Sequence, residues 1–283
     1  MLRRVNRIFA RRSAVVGGIL VGSVVVLAVL APWIAGDPTT PHIDQGLSAL
    51  GGPLPPSSGM WLGTDDLGRD EWARVVTGGR ISLFVATLAT LAAVVIGTGV
   101  GVAAGLAGPR TDGALMRFVD LVLAFPALLL AILLAALLRE SSFAGSLAPV
   151  VLTLVLVSWT TTARVVRTRA AALARSEAVR AARALGATPW RIATRHVLPG
   201  VGSVALALAA VTFAQMLLVE AALSYVGLGP PPPAATWGRM LYEGRAYYRS
   251  APWLIAAPGV AILVSVIGFN LLAGGLRARG ERR

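Results

Sequence analysis

At 283 residues, with 56% hydrophobic and 14% charged residues and a net charge of +13, the chain is too apolar for an ordinary soluble domain. It has no cysteine, which excludes a disulfide framework and a thiolate metal site, and its 26 basic residues are all arginine. A phosphate-cradling P-loop needs a GK[ST] sequence, so any ATP hydrolysis of that kind must take place on another polypeptide.

Apolar segments of about 20 residues, the length that spans hydrocarbon, recur along the chain. The ten-residue alternation of a barrel is absent. The reading is an all-α polytopic membrane protein with six transmembrane helices. Residues 1–12 (MLRRVNRIFARR) form a basic N-terminus and residues 13–35 the first span. That run is longer than a signal-peptide core and lacks a clean A-x-A site, so a retained span is expected. Residues 36–79 turn polar and acid-leaning, as an outer loop would, and open with the irregular DPTTPHIDQGLSALGGPLPPSS.

A five-helix core is expected over residues 80–276. Its first span, 81–106, carries Gly97, Gly101 and Gly105 at every fourth position, a stripe that lets two helix backbones approach closely. The turn GPRTDG leads to a span over 114–138, kinked at Pro126. A short loop at 139–146 precedes a span over 147–162 that continues as helix into a basic loop, 164–199. The next span covers 200–222. A proline-rich outer segment and a last span over 251–276 lead to the tail, 277–283. Inner segments hold most of the arginines and outer segments most of the acids, which puts both termini in the cytoplasm. Arginines placed in the gaps between apolar segments serve orientation, so no nucleic-acid partner is expected; the lipid bilayer is.

The basic loop carries eight arginines against Glu177 alone. ARSEAVRAARALG has strong helix propensity, and Gly186 sits where a C-cap glycine would. Thr188 and Pro189 form an N-cap and N1 pair opening a short helix with Trp190 and Arg191, and Leu198-Pro199 closes it. A solvated tether needs none of these signals, so the loop is expected to dock.

Arg180-Ala181-Ala182, Gly186 and Leu198-Pro199 together resemble the EAA loop of permease subunits from bacterial ATP-binding-cassette importers. WLGTDDLGRDEWARVVTGGRISL, RFVDLVLAFPALLLAI, EAALSYVGLG with PPPAATWGRML, and FNLLAGGLR resemble the C-type permease of the dipeptide, oligopeptide and nickel branch. The resemblance implies a type I importer permease fold and a non-catalytic subunit in the bacterial plasma membrane. It also implies a B-type permease partner, one or two ATPase subunits holding ATP and Mg, and an external substrate-binding protein. Leu185, Gly186, Ala187, Thr188, Pro189, Trp190 and Arg191 would form the coupling helix that docks on the ATPase. The family glutamate is replaced by Arg180, so its role is not carried over.

Asp120 and Glu220 lie near span margins, where an intramembrane ionisable group is by default a functional hypothesis. Asp120 is expected to pair with Arg117 one turn earlier. Glu220 is open between a structural pair and a translocation-path residue. The acids of GTDDLGRDEW lack the ligand spacing of a calcium loop and suit a capping role. His42 and His196 are too far apart in sequence to suggest a metal site, and none is expected. An importer for di- or oligopeptides is the leading function. Alternatives are a secondary transporter with Asp120 and Glu220 as an ion relay, and the same importer class carrying nickel or another small solute.

Overall fold

The computed structural model describes residues 2–140, 145–231 and 234–280. Five of its helices are long and apolar enough to cross a membrane, and a sixth crossing results if one bent helix pair counts as a single span. The middle of the 139–146 loop, Pro232 and Pro233 of the proline run, and the last three residues of the basic tail lie outside the described residues.

Helix α1 (Leu2–Ile34) contains the expected first span and packs along α11 (Trp253–Gly280). The contact is close because Gly17 is there: a methyl group on it would lie 2.6 Å from the Leu272 backbone nitrogen. Next comes the polar segment between α1 and α3, which holds more structure than its composition suggests. It forms a short helix α2 (Ile43–Gly46) and two isolated bridges, Leu47 with Pro53 and Thr64 with Asp70. The Thr64 hydroxyl donates to the Gly46 carbonyl at 2.6 Å and accepts from the Leu54 N–H at 2.7 Å, which ties the segment to itself.

Helix α3 (Glu71–Leu106) starts ten residues before the expected span, so residues 71–79 are not loop. Asp70 caps it, accepting from the Trp72 N–H at 3.0 Å. Hydropathy detects the length that suits lipid, whereas helix continues as far as its cap allows. The Gly97, Gly101 and Gly105 stripe is a packing face, as expected, and its partner is α6 (Ala148–Ala174). A methyl on Gly101 would meet the Ala163 carbonyl oxygen at 2.6 Å.

The expected kink at Pro126 is a break. Helix α4 (Pro109–Leu123) and helix α5 (Ala127–Arg139) meet at 87°. Proline lacks the N–H and crowds the carbonyl four residues back, and here the chain leaves the helical path for three residues instead of bending within it. Helix α6 runs out of the apolar layer as expected. Helices α7 (Glu177–Ala184) and α8 (Pro189–Ile192) follow, then a π turn (Ala193–Val197) and α9 (Leu198–Tyr225).

Leu198-Pro199 therefore closes nothing. Helical structure runs without interruption from Pro189 to Tyr225, and the wider π turn makes room for a proline that an α turn would exclude. The proline-rich segment leads into α10 (Trp237–Gly244), capped by the Thr236 hydroxyl accepting from the Arg239 N–H at 3.2 Å. The main core lies among α3, α5, α6, α9 and α11, around Leu154, Met216, Leu217 and Leu223, all fully buried.

Candidate coupling surface and the charged clusters

The basic loop folds into a corner with two faces. Helix α6 ends at Ala174, and the Ser176 hydroxyl accepts from the Val179 N–H at 3.4 Å to start α7. Helix α7 stops at Ala184, with Leu185 as its C-cap. The Gly186 N–H then donates to the Arg183 carbonyl at 3.0 Å and the Ala187 N–H to the Ala182 carbonyl at 3.0 Å, the two bonds of a Schellman cap. Gly186 takes φ +79°, and a side chain there would meet nothing within 4 Å. Backbone conformation alone selects glycine at this position. The Thr188 hydroxyl accepts from the Arg191 N–H at 3.3 Å and opens α8.

The inner face of the corner is an apolar knot. Val179 of α7, Ile192 of α8 and Val197 of the π turn are buried with Val102 of α3, Val166 and Ala170 of α6, and Val201 of α9. Two short helices are thereby fixed to three long ones. The outer face is apolar in the wrong place for a free protein: Leu185 is 89% exposed and Trp190 is 78% exposed. Gly186, Thr188, Pro189 and Arg191 are also exposed, whereas Ala187 is half-buried and packs on the knot. Arg180 lies 3.8 Å from Glu177 with both side chains largely in solvent, a geometry that contributes little.

Asp120 does not pair with Arg117. Its carboxylate accepts from the Arg164 guanidinium of α6, while Arg167 grips Asp112 with two bonds, one of them 2.6 Å from Nε. Phe118 of α4 also stacks on Trp159 of α6 at 6.0 Å. Packing α4 against α6 brings cross-helix arginines nearer than the one a turn away, so tertiary contact overrides the local i,i+3 pairing.

Glu220 lies in the last turns of its span, as expected. Helix α9 extends beyond it to Tyr225, and the residue is fully buried. Its carboxylate accepts from Ser224 Oγ at 2.7 Å and from Ser82 Oγ at 3.3 Å. Ser82 in turn accepts from the Trp237 N–H at 3.2 Å. One acid thus ties α9, α3 and the start of α10 together through hydroxyls.

At the other end of α3 from this corner lies a buried charge network that sequence reasoning missed. Asp65 accepts from the Leu67 and Arg69 N–H groups at 2.9 and 2.8 Å, from Arg69 Nε at 2.6 Å, and from Arg74 Nη1. Arg74 also reaches Glu243 Oε2 at 2.6 Å, and Arg239 Nε binds the other oxygen at 2.8 Å. Asp65 and Glu243 are far apart in sequence, and no local pattern announces them. Burial, with the Asp65 and Glu243 charges nearby, raises the Asp66 carboxyl above the ordinary range. Burial also raises Asp70, against the N–H groups of Trp72 and Ala73. In the open loop, hydrogen bonds from Thr39 and Thr40 hold Asp37 well below that range.

Residues 97–283 match the family model described as the binding-protein-dependent transport system inner membrane component. Residues 2–56 match the N-terminal membrane domain of oligopeptide transport permease C. A putative peptide transport system permease protein of Brucella suis is 38% identical over 96% of this chain and 88% of its own length. The dipeptide permease DppC of Alkalihalophilus pseudofirmus is 36% identical over 94% of this chain and 84% of its own. For the oligopeptide permease OppC of Bacillus subtilis the values are 34%, 96% and 86%. In three dimensions a chain of the inward-facing MetNI methionine transporter is similar, with a TM-score of 0.57 over 74% of this chain and 93% of that one, at 20% identity.

Proposed function

The chain belongs to the family of binding-protein-dependent transport system inner membrane components, and on that premise we propose that it is the permease subunit of an ATP-driven importer of peptides. The chain spans most of the length of its peptide-, dipeptide- and oligopeptide-permease relatives, which supports that substrate class. The polypeptide has six crossings, with α4 and α5 together making one. Helix α5 alone, at 13 residues, is about 20 Å long and too short for hydrocarbon about 30 Å thick. Both termini face the cytoplasm, as the arginine-rich inner segments require.

The observation that carries the mechanism is a rigid corner with two large apolar side chains turned outward. Leu185 and Trp190 dock on an ATPase subunit, and the knot behind them passes its movement to α3, α6 and α9. Coupling needs an element whose position both sites can bias, and a capped corner fixed to three spans is one. A second permease subunit completes the pathway, and an external binding protein delivers the peptide. This chain contributes no catalytic group and binds no nucleotide; ATP and Mg belong to the ATPase subunits.

Glu220 acts as a latch for the outer segment. Its hydroxyl partners and full burial suit that role, and an ion relay through Asp120 has no continuity with it. Trp190→Ala tests the docking assignment. The subunit should still reach the membrane, while co-purification with the ATPase and ATP-dependent uptake are lost. Unchanged co-purification and uptake would remove the corner from the mechanism.

A further inference from the structure

The charge network at the start of α3 leaves two polar atoms unserved by the protein. Arg74 gives Nη1 to Asp65 and Nη2 to Glu243 Oε2 at 2.6 Å, but its Nε has no hydrogen-bond partner within the chain. Glu71 stands one turn earlier on the same face of the helix, and its Oε1 has none either. Neither atom is near the surface, since Glu71 is 1% exposed and Arg74 is 3% exposed. A buried donor or acceptor loses its hydration and must recover those bonds elsewhere, so native proteins rarely leave one bare. Here one of the two is a donor and the other an acceptor.

Both residues line a cavity of about 10 Å³. Glu243 and Met240 of α10 and Leu254 of α11 close it on the sides away from α3. That space is at the lower end of what one water molecule needs, on the order of 10–15 Å³, and a water needs at least two polar partners to stay. Glu71 and Arg74 supply them.

The chemistry of the two atoms selects among small occupants. A cation would be drawn to Glu71 but cannot accept from Arg74 Nε. Nor is any group of three or more acids or histidines among the described residues placed to hold a metal ion. An anion would suit Arg74 but would lie against Glu71, Asp65 and Glu243, which share the same wall. An apolar occupant would leave both atoms bare. Water both donates and accepts.

We propose that this cavity holds one internal water, which donates to Glu71 Oε1 and accepts from Arg74 Nε. All three guanidinium nitrogens are then engaged. The water thereby positions the fork that joins α3 to Asp65 of the preceding segment and to Glu243 of α10. The inference depends neither on the substrate nor on the docking corner.

Met240 supplies the readout, because it is 2% exposed and lines the cavity. Pulsed X-ray radiolysis of the assembled complex makes hydroxyl radicals from water in place, and a thioether beside a water is oxidised to the sulfoxide. Met240 should be oxidised faster than Met216, which is equally buried in the main core. Glu71→Leu removes the acceptor and fills the space, so Met240 should fall to the level of Met216. Glu71→Gln keeps an oxygen at that place and should retain the labelling; it and the wild-type comparison decide the matter if Glu71→Leu fails to assemble. Equal oxidation of Met240 and Met216 in the wild type would overturn the proposal, as would unchanged Met240 labelling in an assembled Glu71→Leu complex. So would a melting temperature that rises with sodium at constant ionic strength in the wild type but not in Glu71→Gln, because a cation would then occupy the cavity.

Discussion

Both ends of the helical bundle gather charge, and they treat it in opposite ways. At the outer cap Asp65, Arg74 and Glu243 are drawn inward and bonded to one another, joining the segment before α3, α3 itself and α10. At the coupling corner the arginines of α7 and α8 point to solvent, and two large apolar side chains stand beside them. Charge that is buried and mutually satisfied holds one chain together. Charge left in solvent around exposed leucine and tryptophan is what the proposed docking on an ATPase would use. The same residue types thus form a structural device at one end and the proposed docking surface at the other.

The sharpest way to break this contrast is to remove one partner from the buried network. Asp65→Ala or Arg74→Met leaves an uncompensated charge and should cost about 3–5 kcal/mol. Thermal unfolding of the purified complex would report the change. A shift as small as that of a surface substitution would mean that water already reaches the cap.

At the corner the prediction is functional. Gly186→Val must adopt φ +79°, which costs a β-branched residue about 1–3 kcal/mol, and it should misplace α8 and uncouple ATP hydrolysis from uptake. Gly186→Asn tolerates that backbone and should retain coupling. Equal behaviour of the two variants in a coupled transport assay would show that the turn geometry is unimportant.

The cap that holds Asp65 and Arg74 also responds to pH. Asp66 has its folded pKa raised by burial, so its ionised form weakens the fold at neutral pH. That penalty fades as the pH falls through the raised folded value toward 3.8. Asp66→Asn should therefore stabilise the protein at neutral pH, with the advantage shrinking on acidification in pH-dependent melting curves. The smallest effect is expected at Arg180→Ala, within about 0.5 kcal/mol, because the 3.8 Å pair with Glu177 is in solvent.

Legibility in the sequence followed the range of the forces involved. The corner was readable because its determinants are adjacent: Gly186 ends a helix by its own backbone, and Thr188 with Pro189 starts one by theirs. The glycine stripe was readable as a packing face, though not its partner α6. Asp120 was misread because an arginine one turn away was the only candidate in view, whereas the fold supplies Arg164. Pro126 and Pro199 look alike in sequence, yet one breaks its helix by 87° and the other sits in a continuous one behind a π turn. Neighbouring packing decides between those outcomes.

Hydropathy, arginine placement and local caps, acting over single segments, determined a multi-pass helical protein with a capped corner between two of its spans, and the absence of lysine excluded a P-loop. Tertiary structure alone decided which charges meet, how far Glu220 is buried, and that a water-sized cavity lies beside Glu71 and Arg74. The physical reason is that propensities, caps and lipid partition depend on neighbours in sequence. Ion pairs, buried hydroxyl networks and cavities depend on neighbours in space, which the chain acquires only when its helices pack.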